Sequence, residues 1–132
     1  MRLYLDSSAL VKLVTREPES EALIRFLRRH RTDGRVTCVL ARVEVVRAVG
    51  AGGSAAIAHA RRLLARVDQI NLNRRLLDAA ATLAPTAVLR SLDAIHLAAA
   101  LSIGSDLRSV LTYDLRMQSA AAVFGIVVDA PA

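Results

Sequence analysis

The chain has 132 residues, which is enough for one domain with a sizeable hydrophobic core and too few for two. Arginine and lysine number 18 against 12 aspartate and glutamate, a formal net charge of +6, while hydrophobic residues make up 54% of the sequence. This composition excludes a disordered basic tail, the single cysteine excludes a disulfide framework and a cysteine-based zinc cluster, and the scarcity of aromatic residues argues against a base-stacking RNA module. We expect a single domain over residues 1–132.

The predicted elements alternate between strands and helices. In chain order we expect a strand at 1–5, a helix from Ser7 or Ser8 to about Thr15, a helix from Pro18 to about Arg31, a strand at 35–39, a helix at 55–66, a strand at 67–72, a helix from Asn73 that stops before Pro85, a helix from Ser91 to about Ile103, a strand at 109–112, a helix capped by Asp114 and a strand at 126–128. This order predicts an α/β three-layer sandwich with a mostly parallel central sheet and helices on both faces.

Residues 40–49 are compatible with two kinds of secondary structure. Leu40, Val43 and Val46 recur at helical spacing, whereas the run from 43 to 46 also suits a strand. As a helix, the segment would be apolar almost all round and mostly buried. Residues 50–54 follow as a predicted loop, and the run from Gly50 to Ala55 satisfies the G-x-G-x-x-A pattern of a small Rossmann-like nucleotide-binding protein. That alternative requires a strand at 43–49.

Four carboxylates occupy positions that suggest a shared site. Asp6 and Asp114 follow predicted strands, at the ends where parallel α/β sheets gather their ligands. Glu44 lies within the apolar segment and Asp93 in the first turn of an alanine-rich helix, where a buried carboxylate is costly unless it is paired or metal-bound. Each also has an ordinary interpretation. Asp6 and Asp114 suit helix caps and Asp93 suits the helix dipole, while Glu44 suits an ion pair with Arg47.

A convergent cluster of four acids repels itself unless a cation occupies it. Hard divalent ions that prefer oxygen ligands, Mg²⁺ or Mn²⁺, are the expected occupants. Mg²⁺ also keeps several bound waters, and a metal-bound water is what the hydrolysis of a phosphodiester needs. The residues alone therefore favour metal-assisted hydrolysis.

Four sequence segments, in chain order, carry a resemblance to a known family. They are YLDSSALVKL at the N-terminus, then ARVEVVRAV, SLDAIHLAAAL and VLTYDLRM. Their order and spacing resemble those of PIN-domain ribonucleases, specifically the VapC-type toxins of bacterial type II toxin–antitoxin systems. The resemblance runs from about residue 2 to about residue 128 and implies a single PIN domain.

The resemblance assigns roles to particular side chains. Asp6, Glu44, Asp93 and Asp114 match the acidic quartet of the family, which binds Mg²⁺ or Mn²⁺ and carries the catalysis. Asp6 and Asp93 would then be the principal metal ligands, and Glu44 and Asp114 would complete the site directly or through water. By the same resemblance, Ser7 and Thr112 would have supporting roles near the metal.

The same resemblance implies an activity and partners. It implies a Mg²⁺-dependent endoribonuclease that cleaves RNA with a metal-activated water, a cognate small antitoxin protein, and a homodimer. One departure from the family pattern is visible, because Leu115 follows the last aspartate where many relatives have a basic residue, and Arg116 comes one position later.

The positive charge is concentrated in one part of the chain. Residues 35–75 carry eight basic and two acidic side chains. Candidate contacts to RNA phosphates are Arg61, Arg62, Arg66, Arg74, Arg75 and Arg116. The alternatives are a solvated arginine-rich surface, or a non-catalytic basic module that binds nucleic acid. His96 is expected to pack or to bond locally rather than to bind metal.

The sequence also indicates where in the cell we expect the protein. No stretch approaches the ~20 consecutive apolar residues of a membrane-spanning helix, and Asp6 interrupts the N-terminus before an apolar signal segment forms. We therefore expect a cytoplasmic protein without a membrane partner.

Overall fold

A parallel sheet forms the centre of the computed structural model, which describes residues 1–83 and 89–132. Within those ranges the strands are β1 (Arg2–Leu5), β2 (Gly34–Cys38), β3 (Asp68–Ile70), β4 (Leu107–Leu111) and β5 (Val128–Asp129). They lie in the order β3-β2-β1-β4-β5, and every neighbouring pair is parallel. The expectation of a mostly parallel sheet is confirmed.

Helices connect successive strands, as parallel pairing requires. In the described ranges they are α1 (Ser7–Val14), α2 (Ser20–Arg29), α3 (Ala41–Val49), α4 (Gly53–Leu64), α5 (Arg74–Ala81), α6 (Ser91–Leu101) and α7 (Leu115–Val123). None of these helices is long and apolar enough to cross a membrane. The observed ends of the predicted elements differ by at most two residues, except that the helix predicted to stop before Pro85 already ends at Ala81.

The core lies on both faces of the sheet, because successive side chains of a strand point to opposite sides. Leu3 and Leu5 of β1 pack among buried residues of α1 to α4. Tyr4, between them, packs among residues of α5 and α6 on the other face. The second helical layer is completed by α7, where Met117 packs with Leu97 of α6. The predicted three-layer sandwich is confirmed.

Residues 41–49, which suited either a helix or a strand, form the helix α3. The Rossmann-like alternative required a strand at 43–49, and it is therefore contradicted. The predicted loop over residues 50–54 is also wrong in extent, because α4 already begins at Gly53. Helix α3 is also less buried than its composition suggests. Only one stripe faces the core, at Ala41, Val45 and Val49, while Val43 on the other side is 57% exposed.

Candidate functional site

Two of the four predicted acids lie side by side at the carboxyl edge of the sheet. Asp6 follows β1 directly, and Asp114 follows the neighbouring strand β4. Both side chains also cap helices: Asp6 accepts from the backbone N–H of Ala9 in α1, and Asp114 accepts from backbone N–H groups at the start of α7. The cap interpretation is therefore correct for both, and it does not exclude a role in a site.

Asp6 is a buried carboxylate that is held by hydroxyl groups. Its Oδ1 accepts a hydrogen bond from Ser8 Oγ at 2.6 Å, and its Oδ2 accepts one from Thr112 Oγ1. None of the salt bridges among the described residues involves Asp6. Burial raises the pKa of Asp6, although the bonds from Ser8 and Thr112 oppose the rise. A cation at this carboxylate would relieve the cost of the buried charge.

Glu44 in α3 is held by a serine and a histidine. Its Oε1 accepts from Ser7 Oγ at 2.5 Å and lies 2.6 Å from His96 Nε2. Burial alone would raise the pKa of Glu44, but the hydrogen bonds from His96 and Ser7 outweigh it and lower the pKa. The ordinary interpretation of Glu44 as a partner of Arg47 is wrong, since the described salt bridge of Glu44 is with His96.

His96, which contacts this glutamate, is buried and only 3% exposed. Its Nδ1 is 2.7 Å from the hydroxyl of Tyr4 and 3.7 Å from Cys38 Sγ. Burial alone would lower the pKa of His96, but its contacts with Cys38 and Glu44 outweigh burial and raise the pKa from 6.5 to about 10. Local bonding was expected for His96, but nothing in the sequence indicated that its partner is Glu44, 52 residues away.

An arginine that the sequence analysis missed joins the other two acids. Arg90 Nε donates to Asp93 Oδ2 at 3.1 Å, and Arg90 Nη2 donates to Asp114 Oδ2 at 3.0 Å. The arginine side chain is 63% exposed. The spacing of three residues between Arg90 and Asp93 was the only local signal available. The contact with Asp114 spans 24 residues and depends on the fold.

Short bridges connect the four acids around one edge of the sheet. Thr112 Oγ1 donates to Asp6 and accepts from the backbone N–H of Asp114 at 3.1 Å, while Ser7, next to Asp6, reaches Glu44. Among residues 1–83 and 89–132, however, no three Asp, Glu, His or Cys side chains form a group compact enough to hold a metal ion. The donors are carboxylate and hydroxyl oxygens, which fit a hard divalent cation in their chemistry.

The candidate RNA contacts lie on different parts of the molecule. Arg61 and Arg62 are exposed on α4, and Arg66 is exposed in the turn that follows it; these three are called the α4 arginines below. Arg74 and Arg75 are exposed on α5, which belongs to the opposite helical layer. Arg116 is exposed at the start of α7, and its backbone N–H donates to Asp114. Of this set, only Arg116 has a described contact with one of the four acids.

Comparisons with known proteins agree with this architecture. A PIN domain family model matches residues 3–123. Ribonuclease VapC46 of Mycobacterium tuberculosis strain H37Rv is 52% identical over 130 residues, which cover 98% of this chain and 97% of that protein. Ribonuclease VapC35 of strain CDC 1551 is 41% identical over 132 residues, covering 98% and 96% respectively.

Two solved structures share the fold. VapC20 of Mycobacterium tuberculosis, a toxin that cleaves the sarcin–ricin loop, superposes with a TM-score of 0.76 at 19% identity, covering 98% of this chain and 99% of that one. VapBC2 from Rickettsia felis, bound to a DNA fragment from its promoter, gives a TM-score of 0.75 at 10% identity, with 98% of each chain covered. At these identities the likeness concerns the fold alone.

Proposed function

The chain belongs to the PIN-domain family, among its VapC-type ribonucleases, and from that premise we propose that it is a Mg²⁺-dependent endoribonuclease and the toxic component of a toxin–antitoxin pair. The observation that carries the proposal is a network of hydrogen bonds at the carboxyl edge of a parallel sheet, in which Ser7, Thr112 and Arg90 connect the elements that carry Asp6, Glu44, Asp93 and Asp114. The identity of 52% to a ribonuclease over nearly the whole chain supports the choice of RNA as substrate.

The proposed metal ligands are oxygen atoms of these side chains. Asp6 and Asp93 would hold Mg²⁺, or Mn²⁺ in its place, and Glu44 and Asp114 would complete the site directly or through water. The bound metal would supply an activated water for in-line attack and would stabilise charge on the departing oxygen.

The protein's own residues prepare this edge of the sheet. Ser8 and Thr112 hold the Asp6 carboxylate in one orientation, and Ser7 donates a hydrogen bond to Glu44. Arg90 offsets the repulsion between Asp93 and Asp114 in the metal-free protein, because it donates to both. The four acids are thereby kept at one edge although their charges repel.

Basic side chains would bring the RNA to this edge. The α4 arginines, with Arg74 and Arg75, would contribute affinity that falls with salt but little choice of sequence. Arg116 is the candidate for a phosphate near the cleaved bond, because it is exposed beside Asp114. A small cognate antitoxin and a homodimer complete the proposal, the first supported by the shared fold with the VapBC2 complex and the second by family resemblance.

Cleavage of labelled RNA by the purified protein tests this function. We expect cleavage with Mg²⁺, none with EDTA, and recovery when Mg²⁺ is added in excess. Asp93→Asn, which removes one charge at nearly constant shape, should abolish cleavage. Asp78→Asn is the matched control, since Asp78 is exposed on α5 and has no described contact with the four acids. Cleavage that persists both in EDTA and in Asp93→Asn would contradict the metal mechanism.

A further inference from the structure

His96 is a buried polar side chain with no assigned part in the proposed reaction, yet it contacts residues of α3 and β1 at the candidate site. It projects from α6, contacts Glu44 of α3 through Nε2 at 2.6 Å, and contacts Tyr4 of β1 through Nδ1 at 2.7 Å. The rings of Tyr4 and His96 meet edge to face, with centroids 5.9 Å apart and planes at 74°. Contacts on both nitrogens and on the ring fix the orientation of the imidazole.

The contact with Glu44 has a definite direction. An ionised carboxylate can only accept hydrogen bonds, so Nε2 carries the proton and donates to Oε1. The bond also joins the two helical layers, because α3 packs on one face of the sheet and α6 on the other. Glu44 is therefore anchored to the layer that carries Asp93.

The two carboxylate oxygens of Glu44 differ in their hydrogen bonds. Ser7 Oγ and His96 Nε2 both approach Oε1. Among the hydrogen bonds of the described residues, none reaches Oε2, and the glutamate side chain remains 23% exposed. One oxygen of Glu44 is thus fixed by the protein, and the other has no hydrogen bond among the described residues.

We propose that His96 is a positioning residue that holds Oε1 of Glu44 and so presents Oε2 to the ligand at the acidic edge. The proposal rests on the proposed function and deepens it. Asp93 and His96 are three residues apart on α6 and share a face of the helix. One turn of α6 therefore supplies one acid of the site and orients another.

Two substitutions that place an amide at different points separate positioning from packing. In His96→Gln the side-chain nitrogen extends to about the place of Nε2 and can still donate to Glu44. In His96→Asn the amide reaches only to about the place of Nδ1, so the bond to Glu44 is lost. We expect His96→Asn to lower kcat for RNA cleavage by roughly 10- to 100-fold, the usual effect of removing the partner of a ligand, with little change in KM, and His96→Gln to restore most of the rate.

A double substitution tests whether His96 acts through Glu44. In the Glu44→Gln background, His96→Asn should lower the residual kcat far less than it does in the wild-type background. Equal losses in kcat for His96→Asn and His96→Gln, or additive losses in the double variant, would overturn the role of His96. A wild-type protein that cleaves no RNA with either metal would overturn the proposed function instead.

A spectroscopic measurement addresses the geometry without any activity and without relying on the folding of His96 variants. In ¹⁵N-labelled wild-type protein, we expect the Nε2–H proton of His96 to appear as a downfield signal that exchanges slowly with water. Glu44→Gln should move that signal upfield, since a neutral acceptor replaces a charged one. A missing signal, or one that Glu44→Gln leaves in place, would overturn the proposal.

Discussion

Replacing Thr112 with valine tests how the protein tolerates the buried charge of Asp6. Thr112 is fully buried, and its hydroxyl both donates to Asp6 and accepts from the backbone N–H of Asp114. Valine keeps the shape but removes both bonds. A hydrogen bond to a charged group contributes about 1.5–3 kcal/mol, and a buried N–H left unpaired costs about 1–3 kcal/mol. The expected loss in the free energy of unfolding is therefore about 2.5–6 kcal/mol.

Thr112→Ser is the matched control, because it keeps the hydroxyl and removes only a methyl group. That change should cost about 0.5–1.5 kcal/mol, as other deletions of one buried methyl do. Urea denaturation at pH 7, followed by circular dichroism, measures both variants against the wild type. Equal free energies of unfolding for Thr112→Val and Thr112→Ser would refute the reasoning.

The pH dependence of the same experiment has a predicted sign. Burial raises the pKa of Asp6 in the folded protein, so the folded state binds that proton more tightly than the unfolded chain. The contribution of Asp6 to stability therefore falls as the pH rises from the ordinary pKa of 3.8 through the folded value. Thr112→Val removes a bond that opposes this rise in pKa. The gap in unfolding free energy between the valine and serine variants should be widest at pH 7 and narrow as the pH falls towards 3.8 through the raised pKa of Asp6 in the folded protein. A gap independent of pH would contradict this account.

Three further predictions follow from other contacts. Arg90→Gln should tighten Mn²⁺ binding, measured by calorimetry, because it removes the cation that pairs with two of the acids; weaker binding would count against a metal at this edge. Asp33→Asn should lower the urea midpoint at pH 7 and lose its effect as the pH falls below 3.8, because Arg108 lowers the pKa of Asp33 and stabilises its charged form; an equal effect at low pH would contradict the pairing. Replacing the α4 arginines with glutamine should weaken RNA binding and flatten its dependence on salt, whereas the same change at the exposed α2 arginines Arg25, Arg28 and Arg29 should not; equal effects would leave α4 without a special role.

The sequence predicted those features of the site that depend on neighbouring residues. Asp6 and Asp114 were identified because each follows a strand and precedes a helix, and both cap that helix in the structure. The helical form of residues 41–49 was not decided by local pattern, since valine-rich segments suit both helices and strands. The helical form agrees with the topology, because β2 and β3 are parallel and the crossover between them is made of α3 and α4.

The missed features all depend on contacts between distant parts of the chain. The bond between Glu44 and His96 spans 52 residues, and that between Arg90 and Asp114 spans 24. In neither pair does the sequence around one residue indicate its partner. The burial of α3 was overestimated for a related reason, since an apolar composition does not say which residues, such as Val43, lie on the side away from the sheet.

The central claim is that the four acids hold the metal that the reaction needs, and Mn²⁺ binding in the absence of RNA tests it most directly. Loss of the electron paramagnetic resonance signal of free Mn²⁺ reports binding to the wild-type protein, to Asp6→Asn, to Asp93→Asn and to the exposed control Asp78→Asn. We predict binding by the wild type and by Asp78→Asn, and a loss of at least roughly tenfold in affinity for the other two, as removal of a charged ligand implies. Wild-type affinity in both Asp6→Asn and Asp93→Asn would contradict the account.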